Sequence, residues 1–403
     1  MGKSQDIKVL VDIDSKGKEK PWRGKKSMTL KLAESYGRIA DKVSDDYRKR
    51  GVHIRYKRVK RRIGEETITS SEPMGLYTSD GKRVVNYEKR AGNVKFCGTE
   101  LKFEPIDEKL KRLIKANFCR VPLCPMCQWR KSLRVFKDVS EVMRVVQLRK
   151  VNYVPLFLTL TVKNCTVEDL KSTLDNMFNA WHEFMKNKLR VIVKGWFRSL
   201  EVTYDGDKFI TAKRYREAKK YYDERGLKQG DKNPNYNTIH PHFHAILLVE
   251  RTYFKSDDYM HIRDWVKLWR QSARLDYDPV CDIRRVKTSK EKKNQVADIA
   301  KYTYKDAEIL TDKLSEREKD DVIQSLSSAL HGRRLYAYGG IMKEVAAELK
   351  LNENRMVDDD DEINPELAKM ILTYRWDFGI SNYRFVKEIK IDETDINLKG
   401  GNL

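Results

Sequence analysis

Residues 240–249, HPHFHAILLV, restrict the fold more than any other stretch. The chain has only seven histidines, and three of them fall here at alternate positions in front of an apolar run. Such a run reads as a strand. Residues two apart in a strand face the same side, so His240, His242 and His244 share one face, while Phe243 and Ala245 share the other. Pro241 lacks an amide hydrogen and fits only a strand start or an edge.

The surrounding pattern supplies neighbours. VPLFLTLTV (154–162) reads as a buried strand. Thr166 and Asp169 resemble a capping pair. They open a helix with Leu170, Leu174, Met177, Trp181 and Met185 in register. WFRSLEVTY (196–204) reads as a second strand, followed by a polar, Lys- and Tyr-rich insertion over 205–238. After the histidine strand come a helix over 261–275 with Ile262, Trp265, Val266 and Trp269, a fourth strand VCDIRRV (280–286), and a helix over 295–310. Strand, helix, strand, strand, helix, strand is the βαββαβ order of ferredoxin-like α+β folds. There the first and third strands are central neighbours and the second pairs with the third. The histidine strand is therefore expected between FLTLT and SLEVT.

Two imidazoles at this spacing can converge on one divalent cation. SLEVT offers Glu201 on the expected neighbour strand, where an inward carboxylate is costly unless paired or bound to metal. The alternative is a surface histidine cluster with no ligand. Imidazole and carboxylate do not choose among manganese, magnesium and zinc, and an open coordination position would suit polarisation of a phosphate oxygen. In the later helix, Val296, Ile299, Ala300, Thr303, Ala307 and Leu310 form the packing stripe. Asp298, Tyr302 and Lys305 fall on another face, at spacings of four and three. A tyrosine so flanked could be a nucleophile, given a metal-activated electrophile or a nearby base. Tyr304 lies about 200° around the helix from Tyr302, so both cannot face one metal. Taken alone, the helix equally suits simple amphipathic packing.

Lysine and arginine number 82 against 60 acidic residues, a formal net charge of +22 that favours polyanionic partners. No segment reaches the roughly 18 apolar residues of a membrane span. A cytoplasmic protein without a membrane partner is expected. A helix is expected from Ser27, with Leu32, Tyr36, Ile39, Val43 and Tyr47 in register. RYKRVKRR (55–62) gathers Arg55, Lys57, Arg58, Lys60, Arg61 and Arg62, as either a solvated strand or loop or a phosphate-contacting patch. Cys97, Cys119, Cys124 and Cys127 follow the spacing C-x21-C-x4-C-x2-C. Four thiolates with a CPMC knuckle suit a closed structural zinc site, the alternative being scattered buried thiols. Cys165 and Cys281 stand apart. A helix after the cysteines carries Leu133, Phe136, Val139, Met143 and Val146, and the acidic run 357–362 is expected as an exposed loop.

FLTLTVKN, HPHFHAILL and DIAKYTYK, in that order, resemble the three motifs of the HUH endonucleases, named for their His-hydrophobic-His metal motif. More narrowly they resemble the rolling-circle replication initiators of small Gram-positive plasmids. NFCRVPLCPMCQWRKSL, LEVTYD and GRRLYAYGGIMKE extend the resemblance over most of the chain beyond about residue 90. The resemblance implies binding to the plasmid double-strand origin, nicking of one strand, and a link between a tyrosine and the 5′ phosphate. The free 3′ hydroxyl then primes synthesis by host polymerase with a host helicase, and two protomers could cooperate at the origin. By position, His242 and His244 would hold manganese or magnesium with Glu201, and Tyr302 would be the nucleophile. Lys301 and Lys305 would contact DNA. Asp298 stands where related initiators often have a glutamate proposed to activate water at termination; the shorter aspartate departs from that pattern. Four consecutive parts are expected: a basic DNA-binding region (1–90), a four-cysteine zinc module with a linking helix (91–150), the nicking domain (151–310) and a mostly helical C-terminal extension (311–403). A relaxase or transposase of the same superfamily, or a non-enzymatic zinc-dependent DNA-binding protein, are the competing readings.

Overall fold

The computed structural model of the chain describes residues 8–14, 16–63, 66–106, 109–186, 188–286, 296, 305–351 and 370–390, with side chains left out over 60–68. The chain opens with α1 (Trp22–Lys49), β1 (His53–Ile63), β2 (Glu66–Tyr77), β3 (Arg83–Val84) and α2 (Tyr87–Phe96). Next come β4 (Glu100–Pro105), β5 (Lys111–Ala116), α3 (Pro125–Arg149), β6 (Tyr153–Thr161), β7 (Cys165–Thr166), α4 (Leu170–Phe184) and α5 (Lys188–Ile192). β8 (Val193–Asp205), α6 (Ala212–Glu217), α7 (Lys219–Asp223), β9 (Thr238–Glu250), α8 (Ile262–Ser272) and β10 (Cys281–Arg285) follow. Helices at Glu316–Ala329 and Ile341–Glu348 flank β11 (Tyr336–Gly340), and β12 (Met370–Asp377) and β13 (Asn382–Lys390) close the described chain. No helix among the described residues is long and apolar enough to cross a membrane.

The chain forms two compact units, both discontinuous in sequence. One takes its described residues from 1–40, 87–131 and 354–403, the other from 41–86 and 132–353. The sequence reading divides the chain into consecutive parts instead, because local pattern carries no trace of long-range pairing.

The larger unit is built on an antiparallel sheet in the order β10-β6-β9-β8-β11, with the short β7 also pairing with β9. The histidine strand β9 lies between β6 and β8, where the sequence pattern expects it. One face of this sheet is apolar. Leu158, Leu160, Leu200, Val202 and Phe243 are all buried there. The ring of Phe243 meets Phe178 and Trp181 of α4 and Trp269 of α8 at centroid distances of 5.4, 5.8 and 6.3 Å. Burying such a side chain stabilises the fold by about 2–3 kcal/mol. Of the expected stripe of α4, Leu170, Leu174, Met177 and Trp181 are buried, while Met185 lies just past the helix end and is half-buried. In α8, Trp265 and Trp269 are buried, but Ile262, the first helical residue, is 46% exposed. In α3 the expected Val139, Met143 and Val146 are buried, joined by Val135 and Val142, while Phe136 is half-buried and Leu133 is exposed.

The smaller unit holds a four-stranded antiparallel sheet in the order β13-β12-β4-β5. Its core gathers Trp22, Phe103, Trp129 and Tyr374 edge to face, with centroids 4.6–6.0 Å apart. The expectation of a mostly helical C-terminal extension is corrected here. Among the described residues of 311–403 stand two helices, but also β11, β12 and β13. In β12, Leu372, Tyr374 and Trp376 alternate inward, the period of a strand. The acidic run 357–362 lies outside the described residues. The chain is thus a mixed α+β protein with antiparallel sheets.

Candidate metal centres

The polar face of the larger sheet carries the first centre. Antiparallel pairing sets Glu201 of β8 opposite His242, while His244 stands opposite Ser199 on one side and Thr159 of β6 on the other. Residues paired in this way point to one face, so the register alone brings the two imidazoles and the carboxylate together. Glu201 Oε2 is 3.2 Å from His242 Nε2 and 3.0 Å from His244 Nε2. The three ligand atoms lie within 4.8 Å of one another.

These distances suit a cation. Ligand atoms about 2.1 Å from a common ion stand roughly 3.0–3.4 Å apart at octahedral to tetrahedral angles. His244 Nδ1 is 3.1 Å from Thr159 Oγ1, a partner that orients the ring. The Nδ1 of His242 is buried without a hydrogen-bond partner among the described residues. Glu201 is only 7% exposed. Burial by itself would raise its pKa, but the hydrogen bonds to His242 and His244 hold the carboxyl far below the usual range. Burial and the neighbouring His242 lower the His240 pKa to about 4, so its ring is neutral at pH 7. The site therefore offers one carboxylate oxygen and two imidazole nitrogens, a donor set that suits a divalent ion without naming it.

Lys305 Nζ is 3.8 Å from Glu201 Oε1 and 3.4 Å from Glu308 Oε1. The sequence reading includes Lys305 but misses Glu308 and Thr159. Thr159 was findable, since it has the right parity in FLTLT to share the histidine face. Asp298, Lys301 and Tyr302 lie outside the described residues.

The second centre lies in the smaller unit. Sulfur separations are 3.5 Å for Cys97–Cys127 and Cys97–Cys124, and 3.7 Å for Cys119–Cys127. A disulfide needs about 2.05 Å, whereas tetrahedral zinc with sulfurs about 2.3 Å away sets them about 3.8 Å apart. All four sulfurs lie within 4.8 Å of one another, so the set fits a closed tetrahedral metal site. Backbone amides of Cys119 and Arg120 donate to the sulfurs of Cys97 and Cys127, both at 3.3 Å. Two tight turns flank the ligands. Gly98 takes φ +63° just after Cys97, and Arg120 takes φ +56° just after Cys119, an unusual conformation for a side-chain-bearing residue. Lys26 was invisible in the sequence pattern. Its ammonium is buried against this cluster and donates to the carbonyls of Lys95 (2.7 Å) and Cys97 (2.8 Å). Desolvation lowers its pKa to about 8, opposed by the thiols of Cys97, Cys124 and Cys119. Cys165 and Cys281 are half-buried and outside both groups.

The basic run 55–62 lies on β1, which pairs along its length with β2. Arg55, Lys57 and Arg58 are exposed; the side chains of Lys60, Arg61 and Arg62 lie outside the described residues. Arg55 rests over the Tyr77 ring at 4.7 Å, and Lys57 Nζ is 3.6 Å from Glu72.

A family model described as replication protein matches residues 110–384. "Protein rep" of Bacillus amyloliquefaciens is 29% identical over 402 residues, covering 94% of this chain and 97% of the relative. "Protein rep" of Lactiplantibacillus plantarum is 31% identical over 309 residues, covering 73% and 88%. A "Protein rep" of a Bacillus species is 32% identical over 285 residues, covering 66% and 83%. No solved structure matches significantly. The matched span takes in three of the four clustered cysteines, the whole Glu201–His242–His244 site and the sheet that carries it, and on this ground the chain belongs to the replication-protein family.

Proposed function

We propose that the protein is a rolling-circle initiator of plasmid replication that nicks and rejoins one strand of the double-strand origin. The observation that carries this reading is the convergence of Glu201, His242 and His244 on one sheet face in a replication-family chain. The strand order β10-β6-β9-β8 is the one expected of a ferredoxin-like HUH core. A divalent cation held by these three residues would supply Lewis-acid polarisation of the scissile phosphate. Tyr302 attacks phosphorus through its phenolic oxygen. The Tyr–O–P bond forms as the bond from phosphorus to the 3′ oxygen breaks, and the phenolic proton passes to the departing 3′ hydroxyl. The reverse attack by a 3′ hydroxyl rejoins the strand, and Asp298 accepts a proton from water if termination is hydrolytic. Lys305 faces the site as a phosphate contact, and Lys301 lies beside the nucleophile in sequence. Zinc in the cysteine site would be structural. Host helicase and polymerase would take over at the 3′ end.

The test is a denaturing gel of labelled single-stranded origin DNA incubated with protein in manganese or in EDTA. A covalent adduct is expected only with manganese and is expected to vanish in Tyr302→Phe. An adduct that survives the Phe substitution would assign the nucleophile elsewhere, and no adduct on any origin strand would overturn the nicking reading.

The exposed cations of β1 are read as phosphate contacts for duplex DNA. Each neutralised phosphate adds about 0.9 to the steepness of log affinity against log salt. Replacing Arg55, Lys57 and Arg58 by alanine is expected to flatten that slope by about 2–3 in fluorescence anisotropy with origin duplex. An unchanged slope would return the hairpin to a merely solvated surface.

A further inference from the structure

The four clustered cysteines of the smaller unit do not have equivalent surroundings. Cys97, Cys124 and Cys127 are buried, and Cys119 alone is half-buried. Cys97 Sγ accepts the Cys119 amide and Cys127 Sγ the Arg120 amide, both at 3.3 Å. Cys124 Sγ lies 3.8 Å from the Thr29 hydroxyl oxygen and also takes the Cys127 amide. The buried ammonium of Lys26 interacts most strongly with Cys97, then with Cys124, and least with Cys119. Among the described residues Cys119 Sγ receives the Val121 amide at 3.5 Å, a longer contact than the other two.

Donors and cations draw charge from a sulfur and lower its nucleophilicity, and burial keeps reagents away. Zinc would hold all four as thiolates, since a coordinated thiol is deprotonated outright. Cys119 is then the thiolate that is both reachable and least shielded. The two cysteines outside the centre do not compete. Burial pushes the Cys281 thiol up to about 12 and lifts that of Cys165 above its ordinary value, so both stay protonated at pH 7. Cys127 Sγ stands 3.7 Å from Cys119 Sγ, within reach of a disulfide once the metal no longer holds the two apart.

We propose that the cysteine centre is a site of reversible oxidation, in which Cys119 is attacked first by hydrogen peroxide and Cys127 closes a disulfide with it. The Cys119 thiolate attacks one peroxide oxygen. The S–O bond forms as the O–O bond breaks, and the departing hydroxide takes a proton from solvent. The Cys127 thiolate then attacks that sulfur. The S–S bond forms, the S–O bond breaks, and a second hydroxide leaves. Two thiolates have lost two electrons and the peroxide has gained them. Only Cys97 and Cys124 remain as ligands, and the metal is released. The turn after Cys97 is where the consequence falls. Lys26 of α1 donates to the Cys97 carbonyl at 2.8 Å, Tyr383 of β13 to that of Gly98 at 2.6 Å, and the Trp376 amide of β12 to that of Thr99 at 2.8 Å. Oxidation therefore loosens three elements at one point.

Zinc occupancy, on which this reading depends, is measured first by atomic absorption. The full-length zinc-loaded protein is then treated with hydrogen peroxide or, separately, with N-ethylmaleimide. Zinc release is followed with a chromophoric chelator, and the modified sites are mapped by tryptic mass spectrometry. Trypsin separates Cys119 (116–120) from Cys97 (96–102) and from Cys124 and Cys127 (121–130). N-ethylmaleimide is expected to label Cys119 about tenfold or more faster than any other cysteine. The first peroxide product is expected to be the Cys119–Cys127 disulfide, appearing together with free zinc and reversed by dithiothreitol with added zinc. Cys119→His keeps a tetrahedral three-sulfur, one-nitrogen donor set and is expected to hold zinc while slowing its release by peroxide about tenfold or more. Uniform labelling, first attack at a buried cysteine, or equally fast release from Cys119→His overturns the proposal. Should Cys119→His fail to load zinc, the wild-type peptide map decides. A chain without zinc overturns the proposal and the structural-zinc reading together, whereas one zinc with uniform reactivity removes the oxidation site alone.

Discussion

His242→Ala and His244→Ala are each expected to abolish manganese-dependent strand cleavage, a loss of about a thousandfold or more. The estimate follows from the several kcal/mol that a Lewis acid contributes at a phosphoryl centre, at about 1.4 kcal/mol per tenfold. The structure supplies the reason the loss should be so complete. The candidate ligands are one carboxylate oxygen and two ring nitrogens on adjacent strands, and no further acidic or imidazole group joins them among the described residues. A graded variant accompanies the pair. Thr159→Val removes the hydroxyl 3.1 Å from His244 Nδ1 while keeping the β-branched shape. Loss of such an orienting partner typically weakens metal binding about 10–100-fold. Calorimetric titration with manganese should show no binding in the alanine variants and weakened binding in Thr159→Val, with unfolding midpoints near that of wild type. Full cleavage by His244→Ala would remove the histidine strand from the chemistry.

Stripping zinc, or replacing Cys124 by alanine, is expected to unfold much of the smaller unit. Structural zinc in small domains binds with roughly 10–16 kcal/mol of apparent free energy at neutral pH, and that energy is folding energy. Here the ligands come from the end of α2, the segment before α3, and its first turn. Without the ion, the thiolates gathered around Lys26 would repel one another or take up protons in a buried place. The measurement is zinc stoichiometry by atomic absorption together with thermal unfolding followed by tryptophan fluorescence, to which Trp22, Trp129 and Trp376 of the smaller unit contribute beside the four tryptophans of the larger unit. One zinc per chain and a large fall in the first unfolding midpoint are expected. An unchanged midpoint after complete removal would leave four buried thiols and no structural metal.

The histidine strand and its neighbours were legible because three signals agreed there: alternation, an apolar run, and a carboxylate at matching parity on the next strand. Glu201 could be named before any coordinates because a charge inside a strand needs a partner. The cysteine set was legible from spacing alone. Lys26 was not, since nothing marks a lysine in a helix as facing inward until the thiols it meets are placed. β12 and β13 were missed because MILTYRWD sits beyond an acidic run and short of any turn signal that would tie it to β4. Leu133 was wrongly counted into the buried stripe of α3 because a helix with apolar residues on both sides of its buried arc leaves the edge of that arc ambiguous.

β4 gains one neighbour, β5, almost at once, but its other neighbour β12 follows only after roughly 260 further residues. At ribosomal speeds of about 5–20 residues per second that interval is roughly 13–50 s. Throughout it, the nascent chain offers the hydrogen-bonding groups of β4 as an open edge, the kind that captures stray strands. A chain cut short before Met370 never closes it. β12 and β13 therefore cover β4 only once they have been made, and copies truncated before Met370 should be the ones that aggregate or are degraded.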